Sequence, residues 1–318
     1  MRKLLLILFV ALSVCSSQGQ NFPENTYRST GNLLYWKNRA PIPGYWQQDV
    51  HYTIHAKIDD SNDIISGEEV LQYWNNSPDT LDFLFFHLFQ NAFQPGSYFD
   101  NLNRNNGTQS KFGKYESMRL GNVIERITIG EVDLEKEIDN TVMKVYLDKP
   151  LLPGDSVTVK IIFKTYYDSG GLRRRMKLIQ AFGVKQYNGA QWYPKLAVYD
   201  RKMGWDTDQH LNHEFYGDFG TFDVSLDFPA HYIVEATGDL VNREEVLPDS
   251  LRKKLDLSNF KDKKLDSKPG PKIITPEPGK RKEWRFHAEN VHDFAFVANP
   301  LFRLDSYRDW ETDRKSVV

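Results

Sequence analysis

Val50-His51-Tyr52-Thr53-Ile54-His55-Ala56-Lys57-Ile58 alternates apolar and polar side chains at every step. Successive side chains of an extended chain point to opposite faces, so this period of two predicts a strand. Val50, Tyr52, Ile54, Ala56 and Ile58 would line the dry face. Val157, Val159, Ile161 and Phe163 repeat the pattern, as do Phe222, Val224, Leu226 and Phe228. Tyr232, Val234 and Ala236 form a shorter run, and so do Trp284, Phe286 and Ala288. From Leu81 to Phe89 almost every position is apolar, which predicts a strand covered on both faces. Turn chemistry separates these runs at Asn75-Asn76-Ser77-Pro78, Pro153-Gly154-Asp155, Asp168-Ser169-Gly170-Gly171 and Thr237-Gly238-Asp239. Many short strands joined by such turns predict an all-β fold, an antiparallel sheet or sandwich. No internal repeat and no long helical period interrupt the pattern.

Composition narrows the class. The 318 residues include 20 Phe, 16 Tyr and 7 Trp, too aromatic for a disordered chain. Forty-one Lys plus Arg against 43 Asp plus Glu leave a net charge of −2. That balance argues against a nucleic-acid partner, which demands a basic surplus. Arg173-Arg174-Arg175, a clustered basic run, reads as a solvated turn. A single cysteine excludes a disulfide framework and a Cys-based zinc site.

Residues 1–19 read as an export signal: Arg2 and Lys3, an apolar run from Leu4 to Val14, and small residues at Ser17 and Gly19. The run is too short to span a bilayer, and no later segment qualifies as transmembrane. Cys15 follows Val14, a poor match to a lipoprotein signal, so export without a lipid anchor is the expectation, to the periplasm or outside the cell. Residues 20–44 form an N-terminal extension, and 45–306 carry the β domain. Within it, Pro95 to Lys114 is Asn- and Gly-rich and reads as a long loop. Residues 244–281 are charged and Pro-rich and read as a surface insertion, with Leu247 to Phe260 the place for one short helix. Residues 307–318 break the pattern. Their end, Asp313-Arg314-Lys315-Ser316-Val317-Val318, reads as a translated sequencing adaptor, so the natural protein is expected to continue past Ser306.

No catalytic motif stands out. His210-Leu211-Asn212-His213-Glu214 has the order H-x-x-H-E, whereas a zinc-binding helix of the H-E-x-x-H kind needs two imidazoles one turn apart with the glutamate between them. His51 and His55 lie on the wet face of a strand and read as solvated. His87, inside an apolar run, reads as a hydrogen-bonded core histidine. Asp206 and Asp208 sit in a polar stretch that reads as a solvated loop. G-x-S-x-G, P-loop and Rossmann signatures are absent.

Gly189-Ala190-Gln191-Trp192-Tyr193-Pro194-Lys195-Leu196-Ala197-Val198-Tyr199-Asp200 resembles a segment of the N-terminal domain of aminopeptidase-N-like (gluzincin) zinc metallopeptidases, closest to their secreted bacterial branch. Four further stretches agree in order. Asn75 to Leu81 followed by Phe86 to Phe93 resembles the family's early strand pair. Glu214 to Val224 and Val234 to Gly238 resemble the two ends of a later strand, and Asp293 to Ala298 the strand before the catalytic domain. The resemblance covers roughly Tyr45 to Phe302. It implies a saddle-shaped all-β domain that walls a substrate cleft, peptide substrates, and zinc in the full-length protein. It also implies that Gln191 contacts the N-terminal end of the substrate. An amide suits that task, since it offers an acceptor to an ammonium and a donor to a carbonyl. The family's G-x-M-E-N and H-E-x-x-H motifs are absent, so this chain is expected to hold no metal, to have no catalytic residue of its own and to be inactive alone, its catalytic domain missing. Two alternatives stand beside this reading: a free-standing envelope binding module with Trp192 and Tyr193 as contacts for sugar or peptide, although core packing is the expectation for those two aromatics, and a catalytically dead scaffold member of the family.

Overall fold

The computed structural model describes residues 31–32, 44–168, 175–181, 183–211, 216–255, 277–302, 306–309 and 314–317. The export signal, almost all of the N-terminal extension, and Arg173 and Arg174 lie outside these. The chain divides into Met1–Tyr45 and Trp46–Val318, and the fold is that of the second unit.

Its strands, in chain order, are β1 (Asp49–Asp59), β2 (Ile64–Trp74), β3 (Leu81–His87), β4 (Asn122–Ile129), β5 (Val132–Asp133), β6 (Lys136–Asp139), β7 (Val142–Leu151), β8 (Ser156–Tyr166), β9 (Lys177–Ala181), β10 (Val184–Gly189), β11 (Lys195–Leu196), β12 (Tyr199–Asp200), β13 (Gly204–Trp205), β14 (Gly220–Pro229), β15 (Ile233–Ala236), β16 (Asp239–Leu240), β17 (Arg281–Val291), β18 (Phe296–Asn299), β19 (Ser306–Asp309) and β20 (Arg314–Val317). An eight-stranded sheet runs β16-β17-β14-β1-β2-β8-β4-β5. Two four-stranded sheets, β11-β3-β7-β6 and β15-β18-β10-β9, join it. Pairing is antiparallel except between β1 and β14, where Tyr52 lies beside Phe222. The protein is all-β, as the alternation requires.

The alternation also fixes which face is dry. Val50, Tyr52, Ile54, Ala56 and Ile58 are all buried, and so are Phe222, Val224, Leu226, Phe228, Trp284 and Phe286. Tyr52 stacks on Phe222 with ring centres 4.6 Å apart. On β3 one face is fully covered through Leu84 and Phe86, while Phe83 and Phe85 are only half-buried. That second face is closed in part by Trp205, 5.6 Å from Phe85, and by the Lys144 ammonium, 4.2 Å above Phe83. The expectation of full cover on both faces is corrected to that extent, because a cation and one ring shield less than a packed layer does.

Pro95 to Lys114 is not all loop, for it carries α1 (Tyr98–Asn105). Ser97 caps it by accepting a hydrogen bond from the Asp100 amide, 3.0 Å. Asp100 pairs with Arg104 one turn on. Phe99 packs its ring 5.6 Å from Phe93. The Asn-rich composition hid a Ser-x-x-Asp start that tertiary packing completes. Ser97→Ala should lower the free energy of unfolding by about 1 kcal/mol or more, read from the urea midpoint, since the hydroxyl also donates to the Ala92 carbonyl at 2.6 Å. Ser97→Asp can still cap but cannot donate to that carbonyl, so it should not recover the full stability.

Within the insertion, helices span Arg243–Val246 and Asp249–Leu255, the second inside the Leu247–Phe260 stretch where a helix is expected. Residues 256–276 lie outside the described set. Ser306–Asp309 pairs with Arg314–Val317, in a two-stranded ribbon. Among the described residues no helix is long and apolar enough to cross a membrane.

Candidate functional site

The Gly189–Asp200 segment lies where the two smaller sheets approach each other. Strand β10 ends at Gly189, opposite Phe296 of β18, and Phe296 also faces Ala236 of β15. A Cβ on Gly189 would stand 2.2 Å from the Phe296 ring, so only glycine lets the strands close here. The chain then turns through Gln191 before β11 begins. Gln191 has φ 58°, in the left-handed region that non-glycine residues seldom occupy.

A buried amide network holds this turn. Gln90 Nε2 donates to the Gln191 carbonyl at 2.9 Å. Thr165 Oγ1 donates to the Trp192 carbonyl at 2.7 Å, and Asn122 Nδ2 reaches the same oxygen at 3.3 Å. Asn122 Oδ1 accepts from the Gln90 amide, and Asn91 Oδ1 accepts from the Asn122 amide. Three segments, from β3's far end, β4 and β8, therefore fix two successive carbonyls. Gln191 is 3 % exposed, and its Nε2 has no hydrogen-bond partner among the described residues. Gln90 Oε1 is likewise enclosed without one. A buried donor and a buried acceptor are thus left unused, and a left-handed backbone is held in place beside them, features that concentrate at binding sites.

Trp192 and Tyr193 face the opposite way. Both are fully buried. The Trp192 indole donates to the Phe294 carbonyl at 3.1 Å, and the Tyr193 hydroxyl donates to Asp293 at 2.7 Å. Their rings lie 5.3 Å apart, within the core that Phe222 and Phe296 share. They are core residues, in line with the core-packing expectation, and the alternative in which they contact sugar or peptide fails: no ligand reaches a ring with no exposed surface.

Lys195 continues the segment inward. It is 2 % exposed, donates to the His292 carbonyl, and lies 3.6 Å from Asp293. Burial pushes its ammonium pKa down, and Asp293 pulls against that. Gly217 permits this approach, because a Cβ there would stand 2.7 Å from Lys195 Nζ. Next to it Asp218 is pushed up to about 7, first by burial and then by Asp200, with Lys195 opposing. Tyr216 donates to Asp200 at 2.9 Å. Three of the stretches that carry the family resemblance, around Lys195, Gly217 and Asp293, therefore meet at one buried ammonium.

The other candidates scatter. His51 is not simply solvated, since its Nε2 lies 2.7 Å from Asp223, and His287 Nδ1 lies 2.7 Å from the other oxygen of the same carboxylate. The three strands β1, β14 and β17 bring them together on the wet face of the large sheet, a pairing across strands that local sequence does not encode. Burial pushes Asp223 up, but hydrogen bonds from His287 and His51 outweigh it and hold the carboxyl low. His287 is raised by Asp223. His55 remains exposed. His87 is a core residue stacked on Phe89 at 5.1 Å. Its Nε2 lies 3.9 Å from Asp206, which is largely buried, so the solvated-loop expectation for Asp206 is corrected: β13 tucks that loop under His87. Asp208 is exposed. His210 packs against Phe89, and His213 lies outside the described residues. A shallow groove of about 300 Å³ on the wet face, lined by His55, Lys57, Ser66, Glu68, Asp227 and Glu283, touches none of the Gln191 network.

Among the described residues no three His, Cys, Asp or Glu stand where they could hold a metal ion together. The zinc that the resemblance implies therefore finds no donor set in these residues. Sequence reasoning named Gln191 but not its supports. Gln90 lay within the quoted Phe86–Phe93 stretch and could have been found there, while Asn122 and Thr165 carry no local signal.

No family model and no curated protein matches the chain. Its structure is similar to the crystal structure of an M1 zinc metallopeptidase from Deinococcus radiodurans, with 13 % identity over 83 % of this chain and 44 % of that one, at a TM-score of 0.44. It is also similar to a variant of a two-domain M1 zinc metallopeptidase bound to L-tryptophan, with 14 % identity over 84 % of this chain and 45 % of that one, at a TM-score of 0.44. The chain spans less than half the length of these solved structures.

Proposed function

We propose that this chain is the cleft-forming wall of an exported zinc metallo-aminopeptidase, and that Gln191 binds the N-terminal end of the peptide substrate. The observation that carries the reading is Gln191 itself. Its backbone is held left-handed by Gln90, and its buried Nε2 donor has no partner among the described residues. An unused donor at an enforced backbone position is what a substrate carbonyl would complete. The carboxamide is enclosed here, so substrate binding requires it to turn outward, and the anchored carbonyl lets the side chain turn without moving the strand. The zinc and its catalytic base belong to sequence that follows Phe302 in this reading, and the residues described here only bind and orient. The signal at 1–19 supports export.

Two measurements test the proposal. A polypeptide extended past Ser306 should bind zinc and release N-terminal residues from small peptides. In that protein Gln191→Ala should lower kcat/KM roughly 10–150-fold, the equivalent of ~1.5–3 kcal/mol, with little loss in Tm. A zinc-free, inactive extended protein would leave the dead-scaffold reading. An unchanged kcat/KM with a lowered Tm would make Gln191 a structural residue.

A further inference from the structure

We propose that Asn106 is a site of spontaneous deamidation, in which the amide nitrogen of Gly107 attacks the Asn106 carboxamide. The sequence holds two Asn-Gly pairs, Asn106-Gly107 and Asn188-Gly189, and the fold treats them oppositely. Asn106 is the residue at the C-terminal cap of α1, and Asn106, Gly107 and Thr108 are all exposed. The Asn106 side chain makes no hydrogen bond to the described residues. Gly107 has φ 74°, and no atom beyond its chain neighbours lies within 4 Å of where its Cβ would stand, so its surroundings leave room for closure of a five-membered ring. Any side chain at the following position would crowd that ring, and glycine has none.

One interaction opposes the reaction. The Gly107 amide donates to the Arg104 carbonyl at 3.0 Å, and attack requires that bond to open. Helix ends open at a free energy near zero, and an eight-residue helix is marginal apart from its packing. The attacking conformation is therefore reached without unfolding the domain.

Asn188-Gly189 is the internal control. It lies in β10, paired with β9 on one side and β18 on the other. Asn188 Oδ1 already accepts from Gln186 Nε2 at 2.8 Å, and Gly189 is buried beneath the Phe296 ring. An extended backbone clamped on both edges cannot bring its nitrogen onto the preceding carboxamide.

The chemistry balances with water alone. A bond forms between Gly107 N and Asn106 Cγ, the Cγ–Nδ2 bond breaks, and the proton from the amide leaves with the ammonia. The resulting succinimide adds water at either carbonyl and opens to an aspartate or to its β-linked isomer. Either product puts a carboxylate at the negative end of α1, where charge and helix dipole repel. The β-linked product also lengthens the main chain by one methylene, which is incompatible with the Gly107 and Thr108 bonds back to Arg104 and Asn103. The helix whose Phe99 covers Phe93, on the same short turn as Gln90, should therefore loosen as the protein ages.

Peptide mapping by mass spectrometry tests this on the full chain, incubated folded in mildly alkaline buffer with samples taken over days. The peptide containing Asn106 should exchange an NH group for oxygen and yield both linkages, while the peptide containing Asn188 stays intact. In urea both should react at similar rates. Asn106→Gln and Gly107→Ala should each markedly slow modification of the first peptide. An unchanged Asn106 peptide, or an Asn188 peptide that keeps pace in the folded chain, would overturn the proposal. So would a glycan on Asn106 in protein from its own host, since Asn106-Gly107-Thr108 is also an acceptor sequon.

Discussion

Trp192→Ala should lower the free energy of unfolding by about 3–5 kcal/mol, the range for truncating a large buried aromatic. Trp192 has no exposed surface and touches Tyr193, Phe163 and Phe296. It therefore ties together β8, β11's approach and β18. Two costs add. The side chain's apolar surface loses its burial, and the cavity left among rings from two strands and the segment before β11 collapses poorly because β8 and β18 are each pinned by their own ladders. A third cost is the Phe294 carbonyl, which loses the indole donor while it stays buried. Trp192→Phe should cost less, since it keeps most of the volume and forfeits only that hydrogen bond and part of the ring. Urea denaturation followed by circular dichroism reads both variants. A loss below about 1 kcal/mol for the alanine variant would mean that this ring is not part of the cooperative core.

Glu69→Leu should stabilise the protein, and by more as pH rises. Glu69 lies on the dry face of β2, between Ile54 and Ile161 in register, with no exposed surface. Neither carboxylate oxygen has a hydrogen-bond partner among the described residues. Burial alone pushes its pKa well above the ordinary carboxylate value. The folded protein therefore holds a proton that the unfolded chain releases above its own pKa of roughly 4.3. Each rise in pH through that window favours the unfolded state, at up to about 1.4 kcal/mol per pH unit, until the folded carboxyl itself ionises. At pH 5 the leucine variant should gain about 1–3 kcal/mol by removing an unpaired buried polar group. Between pH 5 and pH 7 the gap should widen at the rate just given. Glu69→Gln separates the two effects, since it keeps an unpaired polar group and removes the proton. Its stability should run parallel to that of the leucine variant across this pH range, from a lower starting point. A wild-type protein whose stability difference from Glu69→Leu does not change with pH would show that Glu69 is solvated or paired.

Glu69 also marks where reading along the chain stops. Its strand alternates well enough to say that position 69 faces inward with Leu71 and Tyr73, yet nothing local says why an acid stands there. The same division runs through the rest of the molecule. The dry faces of β1, β8, β14 and β17 were legible because side-chain alternation is a property of any extended chain that buries one side. Gln191 was legible only through the resemblance of its neighbours. Its left-handed backbone and its hold by Gln90, some 101 residues earlier, were not. The helix α1 was hidden by an Asn-rich composition, and it forms because Ser97, Asp100 and Phe99 find their partners at once.

Period-two patterning and turn chemistry alone determined that this is an all-β protein, and which face of each patterned strand lines its core. Those signals are local, since each strand reports its own wet and dry sides. Tertiary structure alone decided that Gly189, Lys195, Gly217 and Asp293 converge, that Trp192 and Tyr193 turn inward while Gln191 keeps an unused donor, and that His51, Asp223 and His287 share one carboxylate. Those facts depend on which strands lie side by side. Strand order is set by the packing of whole sheets against one another, a sum over distant contacts that no window of sequence contains.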